Sequence, residues 1–109
     1  MPEETLAPAT TSEGVLQRLA RAMPLDTSEW DAETNRLVEP GGADPLVGTS
    51  RDAVVARLGE PNAADFNREG QAGWTIGRIE NPRMGHPPIL VVELDASGVI
   101  TRARFQGSM

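Results

Sequence analysis

Apolar residues return at the 3.6-residue period of an α-helix between residues 12 and 23. Thr11 or Ser12 offers an oxygen to the free amides of the first turn, and Pro24 ends the pattern. The sequence therefore predicts an amphipathic helix over residues 12–23. Its apolar positions are Val15, Leu16, Leu19, Ala20 and Met23, and the polar positions opposite them are Gln17, Arg18 and Arg21.

A second helix is predicted over residues 50–58, within the stretch VGTSRDAVVARLGEP. Thr49 or Ser50 is the candidate N-cap. At the other end, Gly59 suits the left-handed conformation that closes a helix, and Pro61 prevents its continuation. The start and the end of this helix are both encoded locally.

The chain between these two helices has no single period. Ser28 would cap a short helix that carries Trp30, Thr34 and Leu37 on one side, whereas residues 35–39 are equally compatible with a short extended piece. The sequence leaves this choice open.

A period of two begins near residue 72 and predicts three strands. They cover residues 72–80, 89–95 and 99–106. The loop NPRMGHPP separates the first two, and the turn Asp95-Ala96-Ser97-Gly98 joins the last two as a hairpin.

The register of this hairpin is predicted from its arginines. Pairing Leu94 with Val99 leaves Arg102 and Arg104 on the face away from the core, and a slip of one residue would bury them. The same register pairs Val92 with Thr101 and Leu90 with Ala103. The predicted core comprises Leu16, Leu19, Val54, Leu58, Leu90, Val92, Leu94 and Phe105.

These elements predict an α+β fold in which two helices pack on one face of a three-stranded antiparallel meander. Residues 11–109 would form this single domain, since 109 residues suffice for one modest core. Residues 1–10 are small, polar and proline-containing, and are expected to form a flexible arm.

Composition narrows the classes of function. The net charge of −6 and the pI near 4.7 argue against a nucleic-acid binder and a polybasic membrane module. The chain has no cysteine, and its longest apolar run is far shorter than a transmembrane segment. The opening residues lack the features of a secretory signal. The expected location is cytoplasmic, or periplasmic or outer-membrane-associated if a leader has been removed.

The charge is unevenly distributed along the chain. Nine acidic residues face three arginines before Thr49, and the two signs balance afterwards. An acidic surface would steer a partner protein, although plain solubility explains the same pattern. The candidate partner-binding residues are Glu29, Trp30, Asp31 and Glu33 in the acidic part and Arg102 and Arg104 on the mixed face of the sheet.

No motif for catalysis is present. His86, the only histidine, lies in a loop without a second zinc ligand at a recognisable spacing. A triad of Ser50 or Ser97 with His86 and Asp95 lacks the Gly-x-Ser-x-Gly elbow. No catalytic, metal or cofactor-binding residue is predicted, and no cofactor is expected. An enzyme would have to use acids such as Asp65, Glu80 and Glu93.

One stretch resembles a known family. Residues 47–106 are similar to the SmpA/OmlA (BamE-like) outer-membrane lipoprotein family, through the pattern G-x-[ST]-xxx-V-xxx-LG-x-P, a following Trp74 and a closing hairpin. The pattern residues are Gly48, Ser50, Val54, Leu58, Gly59 and Pro61. The resemblance implies a BamE-like or β-lactamase-inhibitor-protein-like fold and a non-catalytic role in binding another protein. The alternatives are an immunity or inhibitor protein with an acidic surface and a small acid-based enzyme.

Overall fold

A computed structural model describes residues 10–39, 41–79 and 87–106. Within them, three helices accompany a three-stranded antiparallel sheet in the order β1-β2-β3, which confirms the predicted α+β class. The elements are α1 (Ser12–Ala22), α2 (Ala32–Leu37), α3 (Arg51–Leu58), β1 (Gln71–Thr75), β2 (Ile89–Leu94) and β3 (Ile100–Gln106). Except for Thr10, the predicted arm lies outside the described residues.

The ends of α1 and α3 follow their local signals. The Thr11 hydroxyl accepts from the Gly14 N–H at 3.1 Å, and the Ser50 hydroxyl accepts from the Ala53 N–H at 3.1 Å. Gly59 adopts a φ of 84° at the end of α3, a conformation that side-chain-bearing residues rarely enter. The predicted helix starts and stops are therefore confirmed for both helices.

The ambiguous region contains the third helix, α2. Its cap is Asp31 and not Ser28, because a carboxylate oxygen of Asp31 accepts from the Thr34 N–H at 2.8 Å. Thr34 and Leu37 are buried on its inner side. The helical alternative is thus correct for this stretch, with a start later than a Ser28 cap would place it.

The predicted hairpin register is wrong. β3 pairs Ile100 with Leu94, Ala103 with Val92 and Phe105 with Leu90. Glu93 pairs with Arg102, so Thr101 is left without an opposite residue and forms a bulge.

The turn explains this register. A carboxylate oxygen of Asp95 accepts from the N–H groups of Ser97 and Val99, and the Asp95 N–H donates to the Val99 carbonyl at 2.9 Å. Val99 therefore closes the turn, and Ile100 takes the inward position with 1% exposure. The bulge at Thr101 then returns Arg102 to the outer face.

The core lies between the helices and one face of the sheet, with Trp74 and Ile76 fully buried at its centre. Leu94 and Phe105 are only half-buried and pack against its margin, because one ends β2 and the other lies on an outer strand. The predicted core members that are buried are Leu16, Leu19, Val54, Leu58, Leu90 and Val92.

The second face of the sheet is covered over β1 and β2. Val91 on this face is 1% exposed, and Ala63 is 7% exposed. Gly73 lies so close to Phe66 that a Cβ at position 73 would stand 2.7 Å from the Phe66 Cβ. The segment 61–67 therefore packs on this face, where the sequence predicted a partly solvated surface.

Candidate functional site

The acidic stretch, defined here as residues 26–33, uses its carboxylates to stabilise local turns. Asp26 and Glu29 form a reciprocal capping box around the short 3-10 turn Thr27–Glu29. Asp31 caps α2, and its hydrogen bond from the Thr34 backbone N–H lowers the pKa of this carboxyl. Each of these acids therefore has a local role in the fold.

Trp30 of the acidic stretch is buried, with 8% exposure. Its indole N–H donates to the Ala22 carbonyl at the end of α1 at 3.3 Å, and its ring lies against Gly77. The ring thus anchors the acidic stretch to the core and is not presented to a partner. This residue had been predicted as a candidate for partner binding.

Arg18 departs from the predicted polar face of α1. It is 8% exposed, donates to the Gly14 carbonyl at 3.0 Å, and forms an ion pair with Glu33. Together with Arg21, it lines a depression of about 170 Å³ beside the acidic stretch. Glu33 is therefore ion-paired with a residue of another helix.

Arg102 and Arg104 lie on β3 with solvent-exposed side chains. The Arg102 side chain is 77% exposed, and a carboxylate oxygen of Glu93 lies 3.9 Å from its guanidinium group. Arg104 donates to the Gln106 side-chain carbonyl two residues along its own strand, at 2.5 Å. An exposed ion pair at this limiting distance contributes little to stability. These two arginine side chains are therefore expected to add little to the stability of the fold.

The hydrogen-bonding sides of β2 determine which side of β3 is open. The Leu94 N–H donates to the Gly70 carbonyl at 2.8 Å, on the β1 side of β2. Successive residues of a strand direct their backbone groups to opposite sides, so Leu90 and Val92 also face β1. The residues that face β3 are Ile89, Val91 and Glu93.

Those residues pair with Gln106, Arg104 and Arg102. Ala103 and Phe105 therefore direct their N–H and C=O groups outward, away from the sheet. Across residues 10–39, 41–79 and 87–106, no group is hydrogen-bonded to them on that side. The outer edge of β3 is thus unpaired at these two residues.

The outer edge of β1 is closed in a different way. The Gly73 carbonyl accepts from the N–H groups of Asn62 and Ala63, both at 3.1 Å. The side-chain oxygens of Asn67 and Asn62 accept from the N–H groups of Gly73 and Thr75. Within the described part of the chain, the β1 edge is therefore capped at Gly73 and Thr75, whereas the β3 edge is open at Ala103 and Phe105.

The residues considered for catalysis are not brought together into one site by the described part of the chain. Ser50 caps α3, and Asp95 closes the hairpin, where hydrogen bonds from the Val99 and Ser97 N–H groups lower the pKa of its carboxyl. Asp65 lines a shallow depression together with Phe66 and Ile89. His86 and Glu80 lie outside the described residues.

The described residues contain neither a metal-binding cluster nor a membrane-spanning helix. No group of three or more His, Cys, Asp and Glu side chains there is arranged to hold a metal ion. Nor does any helix in that part of the chain have the length and apolar character that a membrane span requires.

Comparison with known proteins gives no family: no family model matches this chain, and no curated protein or solved structure is significantly similar to it. The SmpA/OmlA resemblance therefore stays a prediction made from a short motif.

Two features of the site were missed from the sequence. The Arg18–Glu33 pair joins residues on different helices, and no local pattern signals such a contact. The open edge of β3 depends on the strand order, although the alternating arginines of ITRARFQ were a usable signal for a charged outer strand.

Proposed function

We propose that this chain is a non-catalytic protein-binding module whose binding surface is the arginine edge, defined as Arg102 and Arg104 with the outer edge of β3. One observation carries the proposal: two exposed, weakly paired arginines lie on β3, whose outer edge is unpaired at Ala103 and Phe105 within the described residues. Charged groups of this kind steer and orient an oppositely charged partner. The partner surface is therefore acidic.

The acidic stretch is the weaker candidate because its charges serve the fold. Glu29 and Asp31 accept backbone hydrogen bonds, and Glu33 is paired with Arg18. Glu29 and Asp31 are nonetheless exposed. That exposure favours a second function, an immunity or inhibitor protein that presents this acidic surface to a basic toxin or enzyme.

A role of the SmpA/OmlA type is part of the proposal. The observations that support it are a helical layer on a three-stranded sheet, Ser50 as a helix cap, and Trp74 buried in the first strand. Association with the cell envelope would follow from that role.

The decisive experiment is affinity capture with matched variants of the full chain. The first variant is Arg102→Gln with Arg104→Gln, and the second is Glu29→Gln with Asp31→Asn. The second removes two charges while Asn still caps α2, because Asn and Asp are comparable N-caps. Mass spectrometry identifies proteins that bind the wild type, and calorimetry with each purified protein then measures its affinity for all three chains.

The proposed function requires an acidic partner that loses affinity for the arginine variant and keeps it for the acid variant. The opposite dependence would support the inhibitor-like alternative. A partner with equal affinity for all three chains would contradict both surfaces.

A further inference from the structure

We infer that β3 accepts a fourth strand, supplied by an extended acidic segment of the partner protein. This inference rests on the proposed function and specifies how its partner is recognised. Main-chain hydrogen bonds to an exposed sheet edge give affinity, and alternate side chains of the added strand give specificity. The structure provides both parts at the same strand.

The open edge supplies the main-chain part. The N–H and C=O groups of Ala103 and Phe105 point outward, as the pairing of β2 with β3 requires. An added strand would satisfy these groups with the same bonds that already join β3 to β2. It would also cover the half-exposed side of Phe105.

The fold already contains the beginning of such a strand. Beside the start of β3, the Gly48 N–H donates to the Ile100 carbonyl and the Ile100 N–H donates to the Thr49 carbonyl, both at 2.8 Å. The chain before Gly48 then leaves the extended conformation in the 3-10 turn Asp44–Leu46, which lies against β3. That turn makes no backbone hydrogen bond to Ala103 or Phe105, so within the described residues the outward groups of these two are left for a segment of another molecule.

The arginines supply the side-chain part. Arg102 and Arg104 project from the same face of β3, since alternate residues of a strand share a face. Residues of an added strand that lie beside them also alternate. The recognised pattern is therefore two acidic residues separated by one residue, in an extended conformation.

A second copy of this chain is a poor occupant of the edge. Antiparallel pairing of two β3 strands centred on Ala103 sets Arg102 of one copy opposite Arg104 of the other. Centring the pairing on either arginine sets that residue against itself. Like charges directly opposite each other destabilise a strand pair, so charge favours an acidic partner over self-association.

The test uses the full chain and three synthetic hexapeptides. The probe is Thr-Glu-Val-Glu-Val-Thr, whose acids share one face of a strand. The first control, Thr-Val-Glu-Glu-Val-Thr, has the same composition but places its acids on opposite faces. The second control is the probe with N-methyl groups on the amides that would bond the edge, which blocks main-chain pairing and keeps the charge. NMR titration follows the backbone amides, and light scattering measures the molecular mass.

The inference requires the probe to shift the amides of Ala103 and Phe105 and to slow their hydrogen exchange. Both controls should bind roughly tenfold more weakly or worse, and Arg102→Gln with Arg104→Gln should weaken the probe by roughly tenfold, as two exposed charge pairs would. Equal binding of the N-methylated probe would overturn the added strand and leave an arginine surface that binds by charge alone. Absence of peptide binding, with a monomeric chain, would mean that the arginines and the bulge merely protect the edge. A doubled mass without peptide would overturn the acidic occupant.

These outcomes are separable from those of the proposed function. If a captured partner requires Arg102 and Arg104 for binding, the proposed function stands even when no strand is added to the β3 edge. A captured partner that ignores both arginines would remove the proposed surface itself.

Discussion

The acidic stretch and the arginine edge are both charged and exposed, yet they are bonded in different ways. In the acidic stretch, Glu29 and Asp31 accept backbone hydrogen bonds. On β3, among the residues that the structure describes, Arg102 has a carboxylate at 3.9 Å and Arg104 has an amide on its own strand. By exposure alone, the two regions would be equally good candidates for a binding surface. Their hydrogen-bond and ion-pair partners distinguish them, because the acids stabilise the fold whereas the arginines are available to another molecule.

The two regions should differ most in how much their truncation lowers stability, because the acidic stretch is anchored by the buried Trp30. Trp30→Ala should lower the free energy of unfolding by about 3–5 kcal/mol, because a large buried aromatic leaves a cavity. Arg102→Ala with Arg104→Ala should change it by no more than about 0.5 kcal/mol, as surface substitutions do. Urea unfolding of the three chains measures both values. A Trp30→Ala chain as stable as the wild type would show that the acidic stretch is not anchored to the core.

Removing a helix cap should have a smaller effect. Asp31→Ala should lower the Tm by roughly a few degrees, because the Thr34 N–H loses its acceptor. Asp31→Asn is the matched control, since the amide oxygen keeps the cap and only the charge is lost. Thermal melts of both chains should therefore separate them. If both variants have the same Tm and it lies below that of the wild type, the charge of Asp31 and not its hydrogen bond would stabilise this region.

Acid should destabilise the chain through the same carboxylates. Hydrogen bonds from Thr34 to Asp31 and from Val99 to Asp95 lower both pKa values below the ordinary 3.8. The unfolded chain then binds protons more readily than the folded chain near that pH. The stability from these groups is present above the ordinary pKa and is lost as the pH falls through the lowered values. Unfolding followed as the pH falls from about 5, which lies above the ordinary aspartate pKa, should show this loss.

The acid dependence also distinguishes the two regions. The chain with Asp31→Asn and Asp95→Asn should lose less stability over the same acid range, because these groups no longer titrate. Arg102→Gln with Arg104→Gln should leave the acid dependence close to that of the wild type. An unchanged acid profile in the Asn variant would mean that other carboxylates control the transition.

Local chemistry explains how much of the fold was predictable. Thr11, Ser50 and Gly59 end their helices by contacts within a few residues, so the sequence predicted these ends. The hairpin register was missed because Asp95 draws Val99 into the turn and shifts the pairing by one residue. The resulting bulge at Thr101 has no signal in the period of the strand.

The site was less predictable than the fold because it depends on contacts distant in sequence. Burial of Trp30 requires the end of α1 and Gly77, and Arg18 requires Glu33 of another helix. The sequence did identify Arg102 and Arg104 as outward-facing, and the structure places them so despite the different register. That they border an open edge became visible only with the strand order.

The measurement that tests the central claim most directly is an NMR titration of the alternating acidic hexapeptide into two matched charge-neutralised chains. Arg102→Gln with Arg104→Gln should weaken binding by roughly tenfold relative to the wild type, through loss of two exposed charge pairs. Glu29→Gln with Asp31→Asn should bind as well as the wild type, or slightly better because two repelling charges are gone. Loss of binding in the acid variant with full binding in the arginine variant would contradict the account.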